Sequence, residues 1–374
     1  MTRDAAAIGA GLAPARDARP IRKGERIHVV GAAGAGASAA ALLAADAGAI
    51  VTACDAGGPS PYSVALERAG IALITGHDAA HVTSDPRPDR LAVTKALTAI
   101  DPDHPELAAA RALGIPVEAW QQVVVDAASA RTLIAIAGTH GKSTTAGWLV
   151  HLLVEAGLDP SAFVGALLPA ELTGGIPATA RTGSGAAFVV EADEYAGNFD
   201  AYRPAIAVLT SVEWDHPDVF ADDVAVQDAF GAWLARMAPE TRIVANAADP
   251  GAAAVVARAE LAGRSILRVG LDLAAADIRG RIVSADPDGT TLAIEGMDGG
   301  SATVRLPTAG RHNAADALLV AGAAASLGVP QGDIVRGLQT FRGVGRRLER
   351  KGEAGGVVVY DDYGHHPTAI RETI

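Results

Sequence analysis

Cysteine is almost absent from this chain: Cys54 is the single one, which excludes an internal disulfide framework and fits a reducing compartment. Lysine is nearly as scarce, with only Lys23, Lys95, Lys142 and Lys351. The formal charge of −12 and pI near 5.3 exclude the clustered basic surface that a nucleic acid requires to displace its counterions. Long apolar runs are also missing. The Ala/Leu/Val stretches are broken by Asp46 or by glycines and polar residues, so none reaches the roughly 20 uncharged residues needed to span a bilayer. The N-terminus carries Arg3, Asp4, Arg16, Asp17 and Arg19 and lacks the apolar core of a secretory signal. No membrane insertion and a cytoplasmic location are therefore expected.

What remains is an Ala/Val/Leu-rich composition with 4% aromatics and 42 glycines, suited to an α/β protein whose helices pack closely on sheets. A length of 374 residues fits two or three domains. Residues 1–22 read as a loose tail. Arg26–Val30 then reads as a strand, Gly31 to Ser38 as a glycine turn, Ala39–Ala47 as a helix, and Ile50–Asp55 as a second strand ending in an acid. This is a Rossmann-type opening to a domain over residues 23–130. Its glycines, Gly31, Gly34 and Gly36, do not follow the dinucleotide order, so an NAD site and a purely structural turn stand as alternatives.

The second domain is expected over residues 131–345, and it opens on the most informative stretch. Leu133 to Ala137 is an apolar strand, Gly138-Thr139-His140-Gly141 a short turn, and Lys142-Ser143-Thr144 the start of a helix continuing through Leu152. Strand, glycine turn and helix in that order make a phosphate-binding loop. Backbone amides and the helix N-terminus face an anion, Lys142 reaches the outer phosphates, and the Ser143 hydroxyl is a ligand for Mg2+. The site expected is one for ATP or another nucleoside triphosphate.

Two further strands deliver polar groups at their ends. Phe188–Val190 leads into Glu191-Ala192-Asp193-Glu194, and Ala205–Leu209 leads into Thr210 to His216. Open α/β sheets bind ligands at such ends. Ser143, Glu191 and His216 are accordingly the expected metal-facing set, with Lys142, Glu191 and His216 as the catalytic groups. Asp193 and Glu194 read either as supporting groups or as surface charge. Residues 277–304, with Asp-Pro-Asp-Gly and Met-Asp-Gly-Gly turns, suggest a small antiparallel excursion. Gly310-Arg311-His312-Asn313 opens a helix, in which Asn313 on its own reads as an ordinary helix-start residue. After Arg347 come a strand, Val357–Tyr360, and a helix start, a segment over residues 346–374 too short to bury a core alone. It reads as the beginning of a third α/β domain.

Taken together, Gly138 to Thr145, Glu191 to Glu194, Glu213-Trp214-Asp215-His216-Pro217-Asp218, Gly310 to Asn313, Gly345 to Glu349 and Asp361-Asp362-Tyr363-Gly364-His365-His366-Pro367 resemble, in order, the motifs of the Mur ligases, over residues 25–374. The resemblance implies an N-terminal Rossmann-like domain that binds a UDP-sugar, a P-loop-type central domain, and ATP-dependent amide-bond formation. In it, the carboxylate of UDP-N-acetylmuramate is phosphorylated and L-alanine displaces the phosphate. Carried over by motif, Gly138, Thr139, Gly141, Lys142, Ser143 and Thr144 would hold the ATP phosphates with Arg347, His312 and Asn313 would lie by adenine, and Asp362 by ribose. His140 would face the muramyl group, and Gly34, Gly36, Ser38 and Asp55 the UDP part. Several members of the family support a second metal ion with a carbamylated lysine. No lysine lies between Lys142 and Lys351, which agrees with the alanine-adding branch. The resemblance also marks departures, among them Ala33, Ala37, Ser211 and Asp316. A ligase that recycles a whole tripeptide and a non-catalytic nucleotide-binding module are the competing expectations.

Overall fold

A computed structural model describes residues 7–374. The chain divides into two compact units, and the first contains two segments from later in the sequence, Ser161–Gly183 and Tyr195–Tyr202, besides the stretch ending at Arg131. An expectation of one uninterrupted domain ending near residue 130 does not include these returns.

The first unit is built on β1 (Arg26–Val30), β2 (Ile50–Asp55), β3 (Leu73–Thr75), β4 (Arg90–Val93) and β5 (Val117–Ala119). They form a sheet in the order β3-β2-β1-β4-β5, with every pair parallel. The central strands β1 and β4 are almost wholly buried, as a parallel sheet covered by crossover helices requires, while β2 is exposed at its start and β3 at the sheet edge. Those helices are α1 (Ala35–Asp46), α2 (Val64–Arg68), α3 (Ala80–Thr83), α4 (Lys95–Ile100), α5 (Pro105–Ala112) and α6 (Trp120–Ala127). Alanines let α1 approach α6 closely. A Cβ on Gly36 would stand 2.1 Å from the Trp120 ring, so glycine there is required by packing. The returning segment contributes a hairpin, β7 (Ser161–Leu168) with β8 (Ala178–Arg181), paired antiparallel.

Residues 7–22 are held to this unit by charge, contrary to their reading as a loose tail. The first six residues of that tail lie outside the described residues. Arg16 pairs with Glu118 at 2.9 Å and with Asp126 at 2.8 Å, and Arg19 with Glu25 at 2.6 Å. Arg90, 1% exposed, lies among the same acids, 2.7 Å from Glu118, 2.6 Å from Asp126 and 3.1 Å from Glu25. Burial alone would push Glu25 up, but its bonds from Arg19 and Arg22 and the charge of Arg90 bring it down to about 2. Three arginines and three carboxylates thus close the bottom of the sheet as one neutral network.

The second unit carries β6 (Thr132–Ala137), β9 (Ala187–Ala192), β10 (Ile206–Leu209), β11 (Arg242–Asn246), β12 (Ser265–Leu271), β13 (Ile278–Asp286), β14 (Gly289–Met297) and β15 (Gly300–Leu306). In space these run β15-β14-β13-β12-β11-β10-β6-β9. From β9 to β13 the pairs are parallel, and β13, β14 and β15 form the expected antiparallel excursion. Its helices are α7 (Lys142–Glu155), α8 (Asp223–Ala235), α9 (Pro250–Leu261), α10 (Arg311–Ser326) and α11 (Gln331–Thr340). Helix α7 packs on α10 and α11, where Trp148 stacks on Phe341 with ring centroids 4.7 Å apart. Asp249 caps α9 through the Ala252 amide and also accepts from the Val212 amide at 3.0 Å. One carboxylate thereby fixes both a helix start and the loop after β10. The final segment forms an antiparallel pair, β16 (Glu349–Ala354) with β17 (Val357–Asp361), and α12 (Pro367–Thr373). Strand β16 has no counterpart in the sequence reading because Glu349-Arg350-Lys351-Gly352-Glu353 shows no apolar alternation.

Candidate active site

The parallel order puts β6 between β10 and β9, so the turn after β6 has the ends of two other strands beside it. That turn can be made only with glycine. Gly138 has φ +138, and a Cβ on it would lie 2.0 Å from the Thr210 hydroxyl. Gly141, the N-cap of α7, is left-handed at φ +80, and a Cβ there would lie 2.6 Å from Asp316. The loop is laced to the segment after β10: the Thr139 amide donates to the Ser211 carbonyl at 2.9 Å, the His140 amide to the Ser211 hydroxyl at 3.0 Å, and the Thr139 hydroxyl to the Glu213 carbonyl at 3.0 Å.

Lys142 curls back over this loop. Its ammonium donates to the carbonyls of Gly138 at 2.5 Å and Thr139 at 3.2 Å, and to the Glu194 carboxylate at 3.0 Å. Three protons meet three acceptors. Burial disfavours the charge, but Glu194, Asp193 and Glu191 outweigh it, and the Lys142 pKa lies above its ordinary value. The lysine is therefore a fixed cation at the mouth of the loop. Glu194, 1% exposed, is the residue the sequence reading left undecided; its only signal was its place at the end of the Glu191-to-Glu194 run.

Next to the lysine, Ser143 donates to Glu191 at 3.0 Å and accepts from Arg347 at 3.1 Å. Ser143, Glu191 and Arg347 are thus brought together. His216 stands in a group with Asp193 and Glu194, in which one ligand atom of each lies within 4.8 Å of the others. It has φ +56, a left-handed backbone that a histidine adopts only under local constraint. The expected trio of Ser143, Glu191 and His216 is therefore distributed over two neighbouring acid clusters, because Glu191 belongs to β9 itself and Asp193 and Glu194 lie beyond its end. His140 is bonded to Glu213 at 3.0 Å and its ring lies 4.7 Å from that of His366. Burial lowers its pKa, the Glu213 bond opposes this, and His366 and Lys142 reinforce it, for a net fall.

The remaining expected positions fall close by in sequence order. Thr144 is in the first turn of α7. Asn313, in the first turn of α10, donates to the Ala309 carbonyl at 2.6 Å and so ties the preceding loop to the helix rather than capping it; the N-cap is Gly310. His312 feels the charges of Asp362 and Glu372, although burial dominates and lowers its pKa. Asp362 accepts from the amides of Leu348 at 2.8 Å and Gly364 at 2.7 Å. Asp316 is a group that sequence reading recognised only as a departure. It is buried against Gly141, and burial pushes it up to about 7 against the pull of Thr145 and Arg347.

The four positions expected to lie along a UDP group belong to the first unit. Gly34 is the N-cap of α1. Asp55 uses its carboxylate to hold the amides of Ala33 at 3.0 Å and Gly57 at 2.8 Å. Gly36 is spent on Trp120. Ser38 is fully buried and bonded to the Ala35 carbonyl at 2.9 Å and to Thr179 at 3.1 Å. The last two shape the turn from behind, and neither offers a side-chain atom to a ligand.

A left-handed glycine turn between a parallel strand and a helix, with a paired lysine and strand-end carboxylates, defines a phosphate-loop nucleotide-binding α/β protein. Known proteins narrow this. Residues 26–132 match the Mur ligase family catalytic domain and residues 136–324 the Mur ligase middle domain. A UDP-N-acetylmuramate--L-alanine ligase of Kineococcus radiotolerans is 40% identical over 345 residues, 92% of this chain and 71% of the relative. The UDP-N-acetylmuramate-alanine ligase structure from Thermotoga maritima superposes with TM-score 0.78 at 24% identity, covering 93% of this chain and 76% of the other. A murein peptide ligase from Psychrobacter arcticus gives TM-score 0.74 at 28% identity, covering 93% and 74%. The chain belongs to the Mur ligase family.

Proposed function

We propose that this chain joins L-alanine to UDP-N-acetylmuramate in an ATP-dependent step of peptidoglycan precursor synthesis. The supporting observation is the convergence of Lys142, Ser143, Glu191, Glu194 and Arg347 on one glycine turn, in a chain 40% identical to a relative of that activity.

A carboxylate is a poor acyl donor because oxide is a poor leaving group. Transfer of the γ-phosphoryl group to a carboxylate oxygen gives an acyl phosphate and ADP. The amine of L-alanine then attacks the carbonyl carbon, the C–O bond to phosphate breaks, and the amine loses a proton. The protein's part is to position phosphates and to compensate charge. Lys142 exchanges its loop carbonyls and Glu194 for the outer phosphate oxygens, and Arg347, already on Ser143, adds a second cation.

The donor set suits Mg2+: a hydroxyl and a carboxylate 3.0 Å apart at Ser143 and Glu191, and one imidazole among carboxylates at His216. Hard oxygen donors with a single nitrogen fit that ion. When bound there, Mg2+ supplies charge neutralisation to the triphosphate. Gly138, Thr139, Gly141 and Thr144 line the phosphate path, Asn313 and His312 the adenine side, and Asp362 the ribose. His140 faces the muramyl group, and Gly34 and Asp55 form the turn that meets the UDP part.

The test is phosphate release with Mg-ATP and UDP-N-acetylmuramate, comparing L-alanine, L-serine, glycine and the muropeptide-type tripeptide. Highest kcat/KM with L-alanine is the expected result. Preference for the tripeptide would assign the chain to the recycling reaction instead. NAD should not bind.

A further inference from the structure

Outside the phosphate site, the first unit gathers six chemistry-bearing side chains around a single point. His28 comes from β1, Cys54 from β2, His77 from the loop after β3, His81 from α3, His104 from the N-cap of α5 and Glu106 from its first turn. The apolar core beside them, Val30, Val82, Leu91, Val93 and Leu107, is fully buried and includes Cys54.

Four of these groups are arranged as ligands. The Nε2 of His28, Sγ of Cys54, a ring nitrogen of His81 and a carboxylate oxygen of Glu106 all lie within 4.8 Å of one another. The shortest separations are 3.1 Å from His28 Nε2 to Glu106 Oε2, 3.4 Å from Cys54 Sγ to His28 Nε2, 3.2 Å from Cys54 Sγ to Glu106, and 2.8 Å from His81 Nδ1 to Glu106 Oε1. A tetrahedral Zn2+ with Zn–N near 2.0 Å and Zn–S near 2.3 Å holds its ligand atoms roughly 3.3 to 3.6 Å apart. Contraction of the looser pairs by about an ångström and widening of the His81–Glu106 pair by roughly half an ångström give such a site.

Two further observations point the same way. His28 Nδ1 lies 2.8 Å from the Thr52 hydroxyl. That contact is the outer partner which fixes a metal-ligating imidazole with Nε2 directed at the ion. His104 is 1% exposed, its ring nitrogens have no hydrogen-bond partner among the described residues, and it packs edge-on against His77 at 4.3 Å. His77 in turn is 3.3 Å from Cys54 and 3.4 Å from Glu106.

We propose that His28, Cys54, His81 and Glu106 form a structural Zn2+ site in the first unit, with His77 as the adjacent replacement donor. One thiolate, one carboxylate and two neutral imidazoles balance the dication, so the filled site is neutral in its apolar surroundings. Binding displaces the Cys54 thiol proton to solvent and leaves the His28 proton on Nδ1, facing Thr52. The ion ties β1, β2, α3 and α5 together. His77 and His81, with side chains 17% and 16% exposed, provide the route in. Sulfur and nitrogen ligands in a four-coordinate set select Zn2+ over Mg2+, which separates this site chemically from the phosphate loop.

The experiment uses the full chain, stripped with chelator and titrated with Co2+ as a spectroscopic stand-in and then with Zn2+. Expected are one Co2+ per chain with tetrahedral d–d bands and a thiolate charge-transfer band, displacement by Zn2+, and a Zn2+-dependent rise in Tm. C54S should abolish the charge-transfer band. H81N, a change at the rim that leaves the core filled, should weaken Zn2+ binding about 10- to 100-fold. Lys142→Ala should leave the Zn2+ titration unchanged. Absence of the thiolate band in folded wild-type protein, or its survival in C54S, would overturn the proposal and leave a proton-bonded His–Glu–Cys network.

Discussion

The Lys142 ammonium lies 3.0 Å from the Glu194 carboxylate and donates its other two hydrogen bonds to carbonyls of the loop it belongs to. The lysine is thus kept charged and folded over the place where phosphates are expected. Binding ATP exchanges two carbonyls and one carboxylate for phosphate oxygens, and Glu194, whose pKa burial already raises to about 7 against the pull of Lys142, can take up a proton when the lysine leaves it.

Removing that cation should abolish chemistry while leaving the fold. Lys142→Ala is expected to lower kcat for phosphate release at least ~100-fold, about 2.7 kcal/mol of transition-state stabilisation. Circular dichroism should be unchanged. Steady-state kinetics with saturating UDP-N-acetylmuramate and L-alanine provide the check; kcat within threefold of wild type would remove Lys142 from the reaction.

Asp316 gives a pH signature. Its pKa is raised by burial to about 7, so the folded protein holds a proton that the unfolded chain gives up near the ordinary carboxylate range. Stability it supports is fully present at acid pH, falls as pH rises toward 7, and is flat above. At ~1.4 kcal/mol per pKa unit, the loss amounts to roughly a few kcal/mol. Asp316→Asn should flatten that limb of a urea-denaturation series. Beside Gly141 it should also tighten ATP binding at pH 8 by removing a negative charge.

The arginine network in the first unit predicts the opposite limb. Glu25 is held at about 2, so its contribution is in place above its ordinary pKa and is lost as pH falls toward 2. Arg90→Met leaves Glu25, Glu118 and Asp126 without their shared partner and should cost about 3–5 kcal/mol. Chemical denaturation at neutral pH measures this directly, and a loss below 1 kcal/mol would show the network to be dispensable.

Gly36 separates packing from ligand binding. Gly36→Ala sets a methyl 2.1 Å from Trp120 and should destabilise the chain by about 1–3 kcal/mol. The double change Gly36→Ala with Trp120→Leu should recover part of that loss. Recovery of stability with unchanged UDP-N-acetylmuramate affinity would assign the glycine wholly to packing.

Local pattern made much of this fold legible. Gly138 to Ser143 announced a strand, turn and helix, and β6 with α7 is that unit. Likewise β1, the glycine turn and β2 followed from apolar runs punctuated by glycine. Pairing across the chain was not legible. Nothing near Asp126 in sequence supplies its partners, which are Arg16 and Arg90. The family motif places Ser38 along the UDP part; Thr179, which it bonds, lies far along the chain. Glu194 could not be told from surface charge until Lys142 was beside it. The cluster around Glu106 escaped notice for the same reason, its members being contributed singly by separate strands and helices.

The account rests on transfer of a phosphoryl group to the substrate carboxylate at the Lys142 loop. Oxygen-18 placed in the lactyl carboxylate of UDP-N-acetylmuramate, with Mg-ATP and L-alanine, tests this most directly by mass analysis of the released phosphate. One labelled oxygen per phosphate in wild-type protein, with no labelled phosphate formed by Lys142→Ala, is the predicted result. Amide product accompanied by phosphate free of the label would contradict it.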